Sequence, residues 1–460
     1  MKNVAAEQHQ GLVHLGLTDV AARVLIVGLG VTGLSVARFL SKYRIQSAIV
    51  DSREIPPRLK GLQEAIQDVA VFTGSFNVEA FEVATHIVVS PGVSLDQENI
   101  VKAAQRGACI LGDIDIFAAC ADAPVACITG SNGKSTVTTL LGLMAEMSDL
   151  DVRVGGNLGT AALDLITEKT PDLYVLELSS FQLERTAQLN ASVATVLNVS
   201  ADHMDRYENI ATYAKVKASI FRGNGAVVLN RADNVVMAMQ NEYRAGITFG
   251  LDAPDVEQYG VMTKGKVGYL AKGDECLMPI SELKLKGSHN IENAMAAIAM
   301  ADILKIPVTG QKQALKEFAG LAHRTQWVAE SNGRVWINDS KATNPGATLA
   351  AIEGLKGPII LIAGGDAKGA DFSSLHKAIQ HHVEHVVLIG QDAQRLKKQA
   401  VIDVSSTFVD SIEQAVELAD KLAKQGDTIL LSPACASLDQ FANYQERGDR
   451  FVAAVERLQR

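Results

Sequence analysis

Cysteine is scarce: Cys109, Cys120, Cys127, Cys276 and Cys435 are scattered through 460 residues, odd in number and without CxxC spacing. That argues against a disulfide-built secreted module and a cysteine zinc site, and favours a reducing cytoplasm. Long apolar runs are also missing, so no segment is expected to span a bilayer. The stretch MKNVAAEQHQGLVHLGLTDV lacks the basic start and apolar core of a signal peptide, and reads as a short extension without an assignable role. Positive charge is not in excess, with Lys+Arg 43 against Asp+Glu 52 and a net charge of -9. Nothing in that balance favours nucleic acid or an anionic membrane as a partner, so anionic ligands must be held by local devices. Internal repeats, low-complexity tracts and long Pro-rich linkers are absent as well. What remains, 47% hydrophobic and 21% charged, is the composition of a folded chain, long enough for about three domains.

Short apolar runs followed by Gly-rich turns and helical periodicity recur. Val24–Val27, Ser47–Val50, Ile87–Val89, Val125–Ile128, Leu173–Leu176, Val193–Leu197, Ile359–Ile362, Val386–Ile389 and Thr428–Leu431 read as buried parallel strands. Strands alternating with helices predict α/β units with mostly parallel sheets, which bind ligands beyond the carboxyl ends of their strands. Composition places boundaries near Gly112 and Gly320, giving units 1–112, 113–320 and 321–460.

The most informative segment is Ala126-Cys127-Ile128-Thr129-Gly130-Ser131-Asn132-Gly133-Lys134-Ser135-Thr136. A strand runs into a Gly-rich turn, and Lys-Ser-Thr opens a helix. Such a turn directs N–H groups at a phosphate chain, and the helix N-terminus adds partial positive charge. Lys134 can reach terminal phosphates and the Ser135 hydroxyl can hold Mg²⁺. The strict pattern GxxxxGK[ST] fails because Ile128 holds the first Gly position.

A second glycine loop, Gly28-Leu29-Gly30-Val31-Thr32-Gly33, follows the first strand, and Asp51 follows the next. Read alone, this is a dinucleotide fingerprint with Asp51 on a ribose. Physically it asks only for a diphosphate, which a UDP-sugar supplies equally well; a purely structural turn is the other alternative. Further strand ends carry Asn157, Glu177, and Asp202-His203-Met204-Asp205. A carboxylate and an imidazole near a phosphate loop suit Mg²⁺, although a lone His after a strand is commonly structural. Lys217 by itself is an ordinary solvated helix lysine, Ser288 or Asn290 a helix N-cap, and Lys368 a solvated loop lysine.

Taken in order, TGSNGKST, GGN, ELSSFQL, DHMDRY with a downstream YxxxK, SHNIEN, NDSKATN, GGDAKGADF and SPACASLDQFANYQERG resemble the Mur ligases from about Arg23 to the C-terminus. The resemblance implies three domains: a Rossmann-like front domain, a P-loop ATPase-like centre and a Rossmann-like end. It implies ATP contacts at Gly130, Ser131, Asn132, Gly133, Lys134, Ser135, Thr136, Asn290, Asn293, Arg324 and Asp339. It places a UDP-linked substrate against Val31, Thr32, Asp51, Ser52, Arg53, Gly92, Asn157 and His203. Two Mg²⁺ would be held by Ser135, Glu177, His203 and a carbamylated Lys217, with Lys134, His203, Lys217 and Arg324 as the catalytic set. The third-domain text is most similar to the branch that adds D-glutamate to UDP-N-acetylmuramoyl-L-alanine, with Thr343, Lys368, Ser437 and Tyr444 around the amino acid. A sibling ligase adding another amino acid, or a folylpolyglutamate synthase-like ligase, is the alternative; the latter would not need the front glycine loop. A cytoplasmic monomer is expected. Three departures stand out: Thr325-Gln326 beside His323-Arg324, Tyr444 where Phe is frequent, and Ala367 where Gly often sits.

Overall fold

The computed structural model describes residues 4–204, 206–285, 287–355 and 357–459. Among these, the strands form three sheets. The first has β1 (Val24–Val27), β2 (Ser47–Val50), β3 (Ala70–Phe72), β4 (His86–Val89) and β5 (Cys109–Leu111), in the order β3-β2-β1-β4-β5. All its pairings are parallel. Alternate residues face opposite layers. Val24, Ile26, Ile49 and Val88 pack with Leu34, Leu40 and Leu62 of the helices Val31–Lys42 and Leu59–Ala65. Leu25, Val27, Val50 and Val89 pack with Phe81 and Ile100 of the helices Val78–Val83 and Glu98–Gln105. Burial on both faces explains why these strands read as continuous apolar runs.

The central sheet contains β6 (Val125–Thr129), β7 (Val152–Gly156), β8 (Leu173–Glu177), β9 (Val193–Val196), β10 (Ala226–Asn230), β11 (Ile247–Phe249), β12 (Tyr259–Lys264), β13 (Val267–Lys272) and β14 (Glu275–Pro279). Their order is β14-β13-β12-β11-β10-β9-β6-β8-β7. The helices Lys134–Glu146 and Ser288–Ile303 cover one face, where small residues (Ala294, Ala296, Ala297, Ala299 and Ala301) allow close approach. The third sheet has β15 (Gln326–Ser331), β16 (Arg334–Asn338), β17 (Ile359–Ala363), β18 (Val383–Leu388), β19 (Ser405–Phe408) and β20 (Thr428–Leu431), ordered β15-β16-β20-β17-β18-β19.

Every run read as a strand is one, with ends shifted by up to a few residues. The antiparallel parts were not anticipated: β12 to β14 form a meander on the edge of the central sheet, and β15 pairs antiparallel with β16. Asn332-Gly333 supplies the two positive-φ positions, 53° and 69°, that a tight turn needs between β15 and β16. The N-terminal extension also differs from its reading as an appendage. Val4–His14 is a helix, and Leu12, Leu15 and Leu17 are buried in the core. Gly11 lies so close to a neighbouring helix that an added Cβ would sit 2.1 Å from the Ala119 carbonyl oxygen.

Candidate active site

The phosphate loop connects β6 to the helix Lys134–Glu146, with Gly133 left-handed at φ 82°. A side chain there would also collide with Asn293, whose Oδ1 lies 2.4 Å from the Cβ position. Lys134 Nζ donates to the Gly130 and Ser131 carbonyls at 3.0 and 2.9 Å. Lys217 Nζ donates to the same Gly130 carbonyl at 2.9 Å and lies 4.4 Å from the Tyr213 ring centre. Its side chain is buried, so the reading of Lys217 as a solvated helix lysine is wrong. The helical pattern around it does not show which face the phosphate loop covers. Burial, then repulsion from Lys134, holds the Lys217 amine well below its usual range. Burial lowers Lys134 too, against the opposing pull of Glu177 and Asp202.

Glu177, at the end of β8, gathers the neighbouring polar groups. Ser135 Oγ donates to its Oε2 at 2.5 Å and Asn157 Nδ2 to its Oε1 at 2.7 Å. Arg324, from the segment entering the third sheet, donates through Nη2 to Ser135 Oγ at 2.7 Å. His203 has a positive φ of 56° and rests on Phe181, just after the Glu177 strand, with ring centroids 4.8 Å apart. Asp202 Oδ2 is 3.7 Å from its Nε2. Asp205, part of the DHMDRY text, lies outside the described residues.

A cavity of about 340 Å³ opens beside the loop, lined by Asn132, Gly133, Thr136, Asn290, Asn293, Arg324 and Asp339 among others. Asn293 Nδ2 donates to Asn290 Oδ1 at 3.1 Å. The helix that carries both is capped by Gly287 without a side-chain bond, so neither Ser288 nor Asn290 is its N-cap. Asp339 is buried, and burial raises its carboxyl to about 7 despite hydrogen bonds from Ser432 and Thr325. Thr325 and Gln326, the departures beside Arg324, have structural work: Thr325 N donates to Asp339 Oδ1 and Gln326 Oε1 accepts from His323 N, both at 2.9 Å.

The front loop is organised differently. Asp51 Oδ2 accepts from Leu29 N at 2.7 Å and from Arg53 Nη2 at 2.6 Å. Burial pushes the Asp51 carboxyl up, but the bonds from Arg53 and Leu29 outweigh it and leave it below its usual range. Val31, Ser52, Arg53 and Gly92 are exposed and Thr32 is half-buried at the loop rim.

The residues expected around the amino acid fall into two groups. Ser437 and Lys368 sit on loops joined by paired backbone bonds between Asp366 and Ala436, at 3.0 and 2.8 Å. Lys368 is exposed, with φ 46°. Tyr444 instead faces Lys341, whose Nζ is 4.1 Å from the ring centre, and Thr343 N donates to the Lys341 carbonyl at 2.8 Å. Arg447 connects the groups: buried, it donates to the Ser340 carbonyl at 2.8 Å and to the Cys435 carbonyl at 3.2 Å. Sequence reasoning missed Arg447, which resembles any surface arginine of the helix Tyr444–Leu458. It also missed Asn344, whose side chain caps the helix Pro345–Gly354 and reaches Asp202 Oδ2 at 3.3 Å; Asn before Pro was the available signal.

Three family models match in succession: the Mur ligase MurD-like N-terminal domain over residues 22–112, the Mur ligase middle domain over 128–301, and the Mur ligase glutamate ligase domain over 323–435. The chain belongs to the Mur ligase family. Among curated relatives of this Mur ligase, the UDP-N-acetylmuramoylalanine–D-glutamate ligase of Methylococcus capsulatus is 49% identical, with 97% of each chain covered. That of Nitrosococcus oceani is 47% identical over 96% of this chain and 98% of its own. The solved UDP-N-acetylmuramate-alanine ligase MurC of Thermotoga maritima shares the fold, with a TM-score of 0.59, 18% identity and coverage of 95% and 99%. The chain is an ATP-dependent, amide-bond-forming ligase, which fits a cavity built on a phosphate loop.

Proposed function

We propose that this Mur ligase joins D-glutamate to UDP-N-acetylmuramoyl-L-alanine in three units, 1–112 for the UDP-linked substrate, 113–320 for ATP and 321–460 for the amino acid. The observation that carries the reading is the junction of Arg324, Ser135, Glu177 and Asn157, which brings the third unit onto the phosphate loop. ATP lies along Gly130–Thr136, with Asn290, Asn293 and Asp339 toward its nucleoside. The substrate carboxylate attacks the γ-phosphate, the bond from that phosphorus to the β-phosphate bridging oxygen breaks, ADP leaves and an acyl phosphate forms; Lys134 and Arg324 offset the charge on the transferring group. The amine of D-glutamate then attacks the acyl carbon. The tetrahedral intermediate loses a proton from nitrogen and collapses to amide and phosphate.

The buried hydroxyl–carboxylate pair of Ser135 and Glu177 is the oxygen donor set that Mg²⁺ prefers. These two would hold one ion, and His203 with a carbamylated Lys217 a second. Bound Mg²⁺ would supply charge neutralisation along the phosphates. Carbamylation requires a neutral amine, and the burial of Lys217 beside Lys134 favours that form. Thr343, Lys368, Ser437 and Tyr444 surround the amino acid, where a cation and hydroxyl donors suit a dicarboxylate. We place the enzyme in the cytoplasm as a monomer; among the described residues no helix is long and apolar enough to cross a membrane.

The test is phosphate release from ATP with UDP-N-acetylmuramoyl-L-alanine and a panel of amino acids. D-Glutamate is expected to be used strongly over D-alanine and L-lysine. Equal use of either would place the chain with a sibling ligase.

A further inference from the structure

Arg185 has a buried side chain at the contact between the front and central sheets, 0% exposed. It lies just beyond the short helix Ser180–Leu183 that follows Glu177. Its Nη1 donates to the Pro91 carbonyl at 3.2 Å and its Nη2 to the Val93 carbonyl at 2.8 Å, on either side of Gly92. A further bond from Nη1 to the Phe181 carbonyl ties it to its own helix. Glu184 Oε2 is 3.5 Å away and offsets the buried charge. Gly112 makes room for the arm, since a Cβ there would be 3.0 Å from Arg185 Cγ.

The turn that Arg185 grips continues into the front glycine loop. Ser90 Oγ donates to the Gly28 carbonyl at 2.8 Å, and Val93 N donates to the Ser90 carbonyl at 3.0 Å. On the other side, Thr129 Oγ1, at the start of the phosphate loop, donates to the Leu178 carbonyl at 2.7 Å. One guanidinium therefore joins the turn bonded to the front glycine loop to the short helix that follows Leu178, itself bonded to the start of the phosphate loop. Fork geometry lets a single side chain fix two carbonyls at once, which an ammonium does less well.

We propose that Arg185 is a positioning residue that sets the Pro91-Gly92-Val93 turn, and with it the UDP end of the substrate, relative to the Glu177 end of the central sheet. The proposal rests on the reading of Gly92, in that turn, as a contact of the UDP-linked substrate. The substrate is held at one end by the front unit and reacts at the other in the central unit. A small error in their register displaces the carboxylate from the γ-phosphate, and displacement of a reacting group is costly in rate.

Two substrates separate positioning from general damage: UDP-N-acetylmuramoyl-L-alanine, and N-acetylmuramoyl-L-alanine without the UDP handle. In wild-type enzyme the UDP-linked substrate should have by far the larger kcat/KM. Arg185→Gln should lose roughly tenfold or more in kcat/KM with the UDP-linked substrate and stay within about twofold with the truncated one. The KM for ATP should not move. Arg185→Lys should recover part of the loss, and carries the test if the Gln variant does not fold. Equal losses on both substrates, or no loss on either, overturn the proposal. Wild-type enzyme that uses both substrates alike overturns it too, by removing the UDP pocket on which it rests.

Discussion

Two glycine loops, each leading from a strand into a helix, enter that helix differently: Gly30 caps the front helix at φ -89°, Gly133 the phosphate-loop helix at a left-handed φ 82°. The front loop, Gly28–Gly33, is stitched by a carboxylate: Asp51 accepts from Leu29 N and from a half-exposed Arg53. The phosphate loop, Gly130–Gly133, is stitched by two amines, half-buried Lys134 and buried Lys217, which share the Gly130 carbonyl. A diphosphate that is only held needs backbone donors and a helix N-terminus. A phosphoryl group that is transferred gathers charge in the transition state, and preorganised cations must meet it there. Under the proposed function, this difference in side chains goes with a front loop that only holds a diphosphate and a phosphate loop at which a phosphoryl group is transferred.

The sharpest way to break that contrast is Lys134→Ala. Removal of one preorganised donor costs about 3–4 kcal/mol in the transition state, so phosphate release should fall by two to three orders of magnitude with little change in KM for the UDP-linked substrate. Activity within threefold of wild type would make the two loops equivalent. Lys217→Ala should also lose most activity, and added short-chain carboxylates should restore part of it by placing an oxygen anion in the vacated space. Absence of any rescue would return Lys217 to a purely structural amine. At the front loop, Asp51→Asn should raise KM for the UDP-linked substrate roughly tenfold, about 1.4 kcal/mol, and leave kcat within about twofold. A loss confined to kcat would show the front loop taking part in the chemistry.

The same contrast explains what was legible in the sequence. Parallel strands buried on both faces announce themselves as apolar runs, and the phosphate loop announces itself by glycine spacing. Both depend on local text. The partners of Lys217 and Arg447 do not: the carbonyls they hold belong to Gly130, 87 residues before Lys217, and to Ser340 and Cys435, 107 and 12 residues before Arg447. The antiparallel meander was missed because its strands, β12 to β14, are partly exposed and carry Lys and Glu among their apolar residues. The helix Val4–His14 was missed because its one-sided burial comes from packing against the helix Asp113–Cys120, which no local pattern reveals.

The central step of the proposed reaction is transfer of the γ-phosphate to the substrate carboxylate beside Lys134 and Glu177. The direct measurement is isotope transfer. UDP-N-acetylmuramoyl-L-alanine labelled with ¹⁸O in its terminal carboxylate is incubated with ATP, Mg²⁺ and D-glutamate, and the released phosphate is analysed by mass. An acyl phosphate that collapses on amine attack leaves one carboxylate oxygen in each phosphate, so the account predicts ¹⁸O-labelled phosphate formed in step with ligated product. Product formed with unlabelled phosphate would contradict it.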